Sequence, residues 1–435
     1  MMKILRKIMP KPLTKAYHAA LAAAGAARYG FPSRKIFVIG ITGTNGKSTT
    51  ALLVGKILAD SGHKVAVSSS IQFQIGDRVW PNEFKMTMPG RSFLQGFLAQ
   101  AVREKCTHAV IEVTSEGILQ NRHAHIDLDA AVFLNLSREH IERHGGYEKY
   151  RAAKLRLFES LSRSRKSART AIVNIADSES KLFLGFRVDK YICFRSGSKQ
   201  RTTTLPSGAT ELISQNEIIG PESVSFTVEN ILFSSPLRGL FNIENMLAAI
   251  SVGARCGVGF QDMAVSLKNG VHVPGRVEEI VNDKGKRVFV DYAHTPAALE
   301  AVYGAFGDAS LVCVLGAAGG GRDKWKRPEL GKIAARKCRR VILTDEDPYD
   351  EDPQEIIAQI ERGVQGAGSA EDGYEIIVDR REAIRRAINT AGDNDIVVVT
   401  GKGSEGVMMV KDGKRIPWDD REVCRDILGE TLPHP

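Results

Sequence analysis

A glycine-rich turn containing a lysine joins an apolar run to a helical segment early in the chain. Ile36–Ile41 is continuously apolar, and Thr42-Gly43-Thr44-Asn45-Gly46-Lys47-Ser48-Thr49-Thr50 follows it. Both glycines let backbone N–H groups turn towards phosphate oxygens, Lys47 adds a full positive charge, and the Ser48 hydroxyl suits Mg²⁺. The standard pattern has a further glycine five residues before Gly46, where Ile41 stands. We therefore expect a variant phosphate loop that binds a nucleoside triphosphate.

Two further side chains could contribute to a metal site. Glu112 lies near the end of the apolar run His108–Val113, and His140 comes six residues after the apolar run Ala130–Leu134. In α/β proteins, ligand groups concentrate at the carboxyl ends of parallel strands. A strand-end glutamate is equally suited to cap a helix, however, and a lone histidine is more often structural than a metal ligand. On the residues alone, both alternatives stay open.

The segments that must hold these residues alternate between strand and helix. Short, continuously apolar runs separated by helical stretches are typical of a parallel sheet buried on both faces. A second alternation starts near Arg287, so we predict an α/β protein with two sheets and a cleft between them. The expected fold class is a P-loop central domain with a mostly parallel sheet plus a C-terminal Rossmann-like α/β domain. We divide the chain into a basic segment 1–35, a central domain 36–273 and a C-terminal domain 274–435, with the boundary near Val273-Pro274-Gly275.

The elements of the two alternations can be placed individually. A segment rich in Ser, Thr and Gly, 196–236, predicts an antiparallel excursion or a loop-rich edge. The predicted strands are 36–41, 64–68, 108–113, 130–134, 288–292, 311–315, 341–344, 375–378 and 396–400, and the predicted helices include 48–61, 92–105, 327–337 and 381–391.

Composition narrows the class of protein and of partner. The 435 residues are 43% hydrophobic and 26% charged, which excludes a wholly disordered chain. No apolar run reaches the roughly 18 to 20 residues that span a bilayer, so we expect a soluble, cytoplasmic protein. The net charge of +9 suits an anionic ligand. Because no aromatic platform or nucleic-acid module is recognisable, we expect no nucleic-acid partner.

The six cysteines are widely spaced and include no Cys-x-x-Cys pair. Neither a zinc site nor a disulfide scaffold is indicated, and reduced thiols fit best.

The start of the chain is strongly basic. An export signal is disfavoured because the Ala-rich stretch 19–27 is only weakly apolar and continues through Arg28 into the first strand. Two alternatives remain: an amphipathic helix on an anionic membrane surface, and a helix packed on the next domain, which we favour. The first 36 residues contain no acidic side chain and eight basic ones: Lys3, Arg6, Lys7, Lys11, Lys15, Arg28, Arg34 and Lys35.

Several motifs along the chain resemble, in order and spacing, those of the Mur ligase family of ATP-dependent amide-forming enzymes of peptidoglycan synthesis. The resemblance covers residues 36 to about 410 and is closest to the tripeptide-forming UDP-N-acetylmuramoyl-dipeptide ligases. The motifs that carry it are Thr44–Thr49, Glu112, Asn135–His140, Tyr150–Phe158, Gly239–Asn245, Pro274–Glu278, Val290–Pro296, Gly319–Lys324 and Gly401–Glu405.

The resemblance implies roles for individual residues. ATP would be bound by Gly43, Thr44, Asn45, Gly46, Lys47, Ser48, Thr49, Asn245, Arg276, Asp291, Tyr292 and His294. Mg²⁺ would be held directly or through water by Ser48, Glu112, His140 and Lys154, with Lys154 carbamylated so that its side chain becomes an anion. Lys47, Lys154, His140 and Arg276 would be the catalytic residues. The peptide acceptor and the amino acid would contact Thr87, Ser115, Arg122, Arg322, Asp347, Tyr349, Lys402 and Glu405.

The implied reaction phosphorylates a peptide carboxylate, and the amine of an amino acid then attacks the acyl phosphate. Charge neutralisation and in-line positioning would supply most of the rate, and closure of the C-terminal domain would exclude water. We expect a monomer with small-molecule partners. A P-loop kinase or regulatory ATPase is the alternative of another class, although it leaves Lys154 and the run 291–296 without a role.

The sequence departs from the resembled branch at several places, among them Glu116 and Ser404, where the branch usually has His. That branch carries a uridine-binding domain before the phosphate loop, whereas only about 36 residues precede the first strand here. Either the other two domains hold the acceptor, or the acceptor is another molecule, as in the related folylpolyglutamate synthetases. The branch's Asp-Asn-Pro-Arg run aligns with Glu346-Asp347-Pro348-Tyr349, and Tyr349 cannot form the bidentate pair of an arginine with a distal carboxylate. The surrounding acidic residues favour a free ammonium, as in lysine or ornithine, or form only a solvated acidic loop.

Overall fold

The computed structural model describes residues 11–368, 370 and 372–429, which form four β-sheets and fourteen α-helices within those ranges. Lys3, Arg6 and Lys7 of the basic segment lie outside the described residues. In the described ranges, no helix is long and apolar enough to cross a bilayer.

The strands are β1 Phe37–Thr42, β2 Val65–Ser68, β3 Gln72–Ile75, β4 Arg78–Pro81, β5 His108–Glu112, β6 Ala130–Phe133, β7 Thr170–Asn174, β8 Lys190–Arg195, β9 Thr210–Ile213, β10 Gln215–Ile219, β11 Val224–Val228, β12 Ile231–Ser235, β13 Glu278–Ile280, β14 Arg287–Asp291, β15 Ser310–Leu315, β16 Arg340–Leu343, β17 Tyr374–Ile376, β18 Asp395–Thr400, β19 Val407–Val410 and β20 Lys414–Pro417. The helices are α1 Lys11–Arg28, α2 Lys47–Asp60, α3 Arg91–Arg103, α4 Ser115–Leu119, α5 Ile141–His144, α6 Tyr147–Ser162, α7 Ser180–Leu184, α8 Leu240–Arg255, α9 Phe260–Lys268, α10 Pro296–Gly304, α11 Lys326–Lys337, α12 Pro353–Gly366, α13 Arg380–Thr390 and α14 Asp420–Leu428.

The first sheet has nine strands in the order β4-β3-β2-β5-β1-β6-β7-β8-β9. From β2 to β9 the neighbouring strands are parallel, and β3 and β4 extend one edge in antiparallel fashion. Successive residues of β1 enter opposite cores: Val38 packs with residues of α3 and α6, and Ile39 with residues of α2 and α8. Helices therefore cover both faces, which explains the continuously apolar strands. The predicted mostly parallel central sheet is confirmed.

The second large sheet has six strands in the order β13-β14-β18-β15-β16-β17. All neighbours are parallel except β13, which pairs antiparallel with β14 at one edge. Its two faces are covered by α10–α12 on one side and by α13 and α14 on the other. This arrangement confirms the predicted C-terminal α/β fold. Within the segment 196–236, β9 joins the edge of the first sheet and β10–β12 form a separate antiparallel sheet.

The helix α1 packs against α3 through small side chains on its C-terminal half. Ala22 and Ala26 are buried, and a Cβ atom at Gly25 would lie 3.0 Å from the Ser92 hydroxyl. This close packing agrees with the packed-helix alternative for residues 19–28.

Two cysteines depart from the expectation of reduced thiols. Cys313 of β15 and Cys338, two residues before β16, form a disulfide. The helix α11 returns the chain between these parallel neighbours, so both sulfurs reach the same buried layer. No sequence motif marks a pair separated by 25 residues, which is why the pattern of spacings failed to reveal it. The other described cysteines, Cys106, Cys193, Cys256 and Cys424, are free thiols.

A fully buried ion pair joins two elements of the C-terminal domain and carries a stability prediction. Arg380 donates to both carboxylate oxygens of Asp420, at 2.9 and 2.7 Å, and to the carbonyl oxygen of Thr400. Because Arg380→Leu leaves the Asp420 charge buried without its partner, we expect the free energy of unfolding to fall by about 3–5 kcal/mol. Urea titration followed by circular dichroism measures this change.

The neighbouring Arg381→Leu is the matched control. Arg381 pairs with Asp426, and both side chains are exposed, so we expect a change below about 1 kcal/mol. Equal losses in the two variants would contradict the assignment of the buried pair as the stabilising one.

Candidate active site

The phosphate-loop residues lie where β1 meets α2, in the middle of the nine-stranded sheet. The backbone N–H groups of Thr44 and Asn45 donate to Oδ1 of Asn135, at 3.1 and 2.9 Å, so the segment after β6 fixes the shape of the loop. Gly46 has a φ of 83°, and a Cβ atom there would collide with the side chain of Asn245. Glycine is therefore required at this position for both backbone and steric reasons.

Lys47 begins the helix α2, and its side chain turns back over the loop. Its Nζ donates to the carbonyl oxygen of Thr44 at 2.8 Å. Thr49, two residues further along the chain, is buried within α2. A cation held over a glycine-containing turn at the N-terminus of a helix is the arrangement that binds the β- and γ-phosphates of a nucleotide.

Ser48 and Glu112 converge beside the loop, as the sequence predicted. The Ser48 hydroxyl donates to Glu112 Oε2 at 2.9 Å, and the same oxygen accepts from the backbone N–H of Ser70 at 2.8 Å. At the neighbouring strand ends, the buried hydroxyls of Thr42 and Ser68 lack hydrogen-bond partners. Hard oxygen ligands of this kind fit Mg²⁺, which takes few protein ligands and keeps phosphate and water oxygens. The residues present therefore fit the ion.

Lys154 projects from α6 to the same place. Its Nζ donates to the carbonyl oxygen of Gly43 at 2.7 Å and lies over the ring of Tyr150, and the side chain is only 2% exposed. Burial, together with the nearby charge of Lys47, holds the pKa of Lys154 well below its usual value. An amine in the neutral form is the species that reacts with CO₂.

His140 also lies beside the ring of Tyr150, and the centroids of the two rings are 6.1 Å apart. Its φ of 55° lies in the left-handed region, which is uncommon for a bulky side chain and indicates a residue held by its surroundings. Burial and the nearby Arg322 guanidinium lower the pKa of His140 to about 2. The imidazole is therefore neutral, the form that ligates a metal ion.

Contacts from the C-terminal domain enclose His140 on both sides. Glu139 forms a buried ion pair with Lys326 at 2.9 Å. The Asp323 carboxylate accepts from the backbone N–H groups of Ile141 and Glu142, at 3.0 and 2.9 Å. These bonds join the loop after β15 to the segment after β6, so the two sheets face each other across a closed cleft.

The C-terminal residues predicted to contact ATP lie around the end of β14, facing the phosphate loop. Arg276 lies over the ring of Tyr292, 4.4 Å from its centroid. His294 Nδ1 lies 2.9 Å from the carbonyl oxygen of Tyr292. The two oxygens of Asp291 accept from the N–H groups of Val277 and Ala293, so this carboxylate also shapes the loop.

Five of the predicted substrate residues form one cluster at the carboxyl ends of the C-terminal strands. Lys402 Nζ lies 2.8 Å from Asp347 Oδ1 and 3.1 Å from Glu405 Oε2. Glu405 accepts from the Tyr292 hydroxyl at 3.3 Å, which joins the cluster to the predicted nucleotide residues. Arg322 lies against Tyr349 and Glu405.

The other three predicted substrate residues lie across the cleft, on the nine-stranded-sheet side. Ser115 begins α4 and its hydroxyl lies 3.1 Å from His144 Nε2, whose ring packs edge-on against Tyr150. Arg122 donates to the carbonyl oxygen of Met88 and to Gln120. Thr87 lies in the same loop as Met88, between β4 and α3. These three positions therefore flank the cleft without forming a single bonded group.

Lys85, in this same loop, was missed by sequence reasoning. Its Nζ lies 2.6 Å from Asp347 Oδ2 and 3.2 Å from Glu405 Oε2, although both carboxylates belong to the other side of the cleft. A lysine in an irregular loop carries no motif, and only the closed arrangement of the two sheets brings it to this cluster.

Most carboxylates of the acidic run from 345 to 352 are bonded to cations or backbone N–H groups of the chain itself, and the preference for a free ammonium stays a prediction. Asp347 is bonded to two lysines, and Glu351 pairs with Arg327 at 3.0 Å and Lys324 at 3.2 Å. Asp350 accepts from a backbone N–H, and Asp352 caps α12. Glu346 differs because its Oε2 is buried without a partner, and burial raises its pKa to about 7.

Comparison with known proteins agrees with this geometry. The Mur ligase middle domain matches residues 41–253, and the Mur ligase, glutamate ligase domain matches residues 275–403. The chain belongs to the Mur ligase family. This membership confirms the predicted class of ATP-dependent, amide-forming ligase.

Individual relatives can be compared over most of their length. A UDP-N-acetylmuramoyl-L-alanyl-D-glutamate 2,6-diaminopimelate ligase from Syntrophomonas wolfei is 37% identical over 416 residues, 94% of this chain and 82% of the relative. A solved structure of a ligase of that name matches with a TM-score of 0.58 and 29% identity, over 91% of this chain and 78% of the other. Folylpolyglutamate synthase of Mycobacterium tuberculosis matches with a TM-score of 0.68 at 19% identity, over 87% and 91% of the two chains, and so shares the fold.

Proposed function

We propose that the protein joins an amino acid to the carboxylate of a muramoyl dipeptide through an acyl phosphate, at the expense of ATP. The single observation that carries the proposal is the convergence of Lys47, Ser48, Glu112 and Lys154 on the phosphate loop, opposite the Arg276 and Tyr292 pair. The related enzymes are named for a UDP-linked muramoyl dipeptide, and this supports a UDP-linked acceptor.

The nucleotide would lie in the cleft between the two sheets. The backbone N–H groups of Gly46–Thr49, where α2 begins, and the Lys47 ammonium would hold its phosphates, with Asn245 beside the loop. Those of Thr44 and Asn45 donate to Asn135 and would shape the loop. Arg276, Tyr292 and His294 would contact it from the C-terminal side, where Asp291 fixes their loop. Mg²⁺, held by Ser48, Glu112, His140 and a carbamylated Lys154, would neutralise charge on the transferring phosphoryl group.

The reaction would proceed in two steps, phosphoryl transfer to the acceptor and then amide formation. An oxygen of the acceptor carboxylate attacks the γ-phosphorus, and the bond to the β-phosphate oxygen breaks to release ADP. The neutral amine of the amino acid then attacks the acyl carbon, inorganic phosphate leaves, and the ammonium formed loses a proton. Water must be excluded because it hydrolyses an acyl phosphate, and the contacts of Asp323 and Lys326 across the cleft would do so.

The setting of the reaction is part of the same proposal. We assign it to the cytoplasm, where ATP is available, and to a monomer that opens and closes about a hinge near Pro274 and Gly275, the boundary between the central and C-terminal domains. Contact of the basic N-terminal segment with an anionic membrane surface is compatible with the proposal but not required by it.

A second candidate acceptor is a folate-type γ-carboxylate or another molecule without UDP, which the shared fold with folylpolyglutamate synthase supports. The test is a matrix of ADP release measured with candidate amino acids against UDP-linked muramoyl dipeptide, UDP-free muramoyl dipeptide and a folate. We expect ADP release that requires both an acceptor and an amino acid, with the UDP-linked dipeptide giving the highest kcat/KM. ADP release without any acceptor would contradict the proposal and favour an ATPase.

A further inference from the structure

Lys85 closes the amino-acid side of the cleft from the opposite sheet. It comes from the loop between β4 and α3, yet its ammonium lies between the carboxylates of Asp347 and Glu405, at 2.6 and 3.2 Å. Its side chain is 14% exposed and that of Asp347 is 5% exposed, so the pair is largely removed from water. Removing the cation of a buried ion pair leaves an uncompensated charge, so the loss of Lys85 would be costly for Asp347.

The carboxylates that Lys85 contacts belong to a ligand-binding position by topology. Asp347 follows β16, and Lys402 and Glu405 follow β18, which are parallel strands of the C-terminal sheet. Ligands of open α/β sheets bind outside the carboxyl ends of such strands. The cluster is also continuous with Tyr292, through the bond of its hydroxyl to Glu405.

Lys85 is the cation that contacts the second carboxylate oxygen of Asp347 in the cluster. Asp347 and Glu405 face Lys402 and Lys85, and the second carboxylate oxygen of Asp347 has Lys85 as its partner. Without Lys85, Oδ2 of Asp347 would face the cleft without a cation, while Oδ1 would keep Lys402. An ammonium on the side chain of a bound amino acid would be attracted to the same place.

We propose that Lys85 is a specificity-determining residue, whose ammonium takes the carboxylate pair that the side-chain ammonium of a diamino acid would otherwise use. The proposal rests on the proposed function, because it assigns the cluster to the incoming amino acid. Lys85 reaches the pair across the cleft, so with the proposed hinge motion the selection against a second ammonium would act in the closed arrangement. Lys85 would discriminate against a second ammonium by repelling it and by occupying the carboxylates with which it would pair. The contacts to the preferred substrate would not change.

The test compares two amino acids of nearly equal length, L-lysine and L-norleucine, which differ by the terminal ammonium. In the full-length protein, Lys85→Met is expected to raise the ratio of kcat/KM for lysine to that for norleucine by about tenfold or more. Lys85→Gln, the second charge-removing variant, should act in the same direction. Lys85→Arg keeps the charge and should leave the ratio within about twofold of the wild type.

A matched control removes a lysine of the same domain as Asp347. Lys332 forms an exposed pair with Glu329 on α11, and Lys332→Met should leave the ratio unchanged. A purely structural role for Lys85 would lower both kcat/KM values together. A ratio that stays within about twofold of the wild type in Lys85→Met and Lys85→Gln would overturn the proposal.

A second measurement separates failure of this inference from failure of the proposed function. Calorimetry gives the affinities of lysine and norleucine for the protein saturated with Mg²⁺ and a non-hydrolysable ATP analogue, without any turnover. We expect the lysine-to-norleucine affinity ratio to rise in Lys85→Met by the same factor. If no variant forms an amide but this ratio rises, the proposed function fails and the assignment of Lys85 stands; an unchanged affinity ratio overturns the assignment.

Discussion

Replacing Lys47 by methionine is expected to lower the rate of ADP formation about a thousandfold, with little loss of folding stability. Methionine nearly retains the length of the side chain. It removes the Lys47 ammonium, which turns back over the phosphate loop to the carbonyl oxygen of Thr44. Fixed charges at the transferring phosphoryl group supply most of the rate in this kind of reaction, because there is little covalent work for the protein. Steady-state ADP release at saturating acceptor and amino acid measures the effect.

The control for this variant lies on the same helix. Lys56, nine residues after Lys47, forms a partly exposed ion pair with Asp60. Lys56→Met removes this pair and should leave kcat within about twofold of the wild type. The thermal unfolding midpoint of both variants should remain close to that of the wild type. If Lys47→Met retained wild-type turnover, the nucleotide could not be bound by this loop.

Lys154→Ala is the second change with a large expected effect. We expect turnover to fall at least a hundredfold, because the substitution removes the group that a carbamate would make into an oxygen ligand for Mg²⁺. The substitution also leaves space beside the Gly43 carbonyl that Lys154 fills. Added formate or acetate can place a carboxylate there, so we expect these anions to restore part of the lost rate. Lys149→Ala, an exposed lysine on the same helix, should show neither loss nor rescue.

The carbamate itself has a direct readout. Wild-type protein equilibrated with carbon-13-labelled bicarbonate should show a carbamate resonance that is absent from Lys154→Ala. Loss of turnover without rescue and without this resonance would indicate that Lys154 acts as an amine, through its bond to the phosphate loop.

The sequence predicted the framework because local patterns determine it. The apolar runs at 36–41 and 108–113 are the strands β1 and β5 to within a residue or two, and they are neighbours in the sheet. Their neighbouring carboxyl ends bring Ser48 and Glu112 together, although on the residues alone Glu112 could equally have capped a helix, and only the family resemblance assigned it to Mg²⁺. Family resemblance added Lys154, which no local pattern distinguishes from a solvated helix lysine.

Features that depend on the closed arrangement of two sheets could not be predicted in this way. Lys85 contacts Asp347 across 262 residues of chain, and Asp323 meets the start of α5 across 182. Neither contact leaves a periodicity or a spacing in the sequence. The acidic run is a further example. Its carboxylates pair with Lys402, Arg327 and Lys324, which come from other segments of the chain.

The central claim is that the γ-phosphate of ATP meets a carboxylate held in the cleft between the two sheets. It is tested most directly by supplying an acceptor whose reacting carboxylate carries oxygen-18 and analysing the released phosphate by mass spectrometry. Formation of an acyl phosphate predicts that one labelled oxygen passes to each phosphate and the other remains in the new amide. Amide formation with unlabelled phosphate would contradict the account.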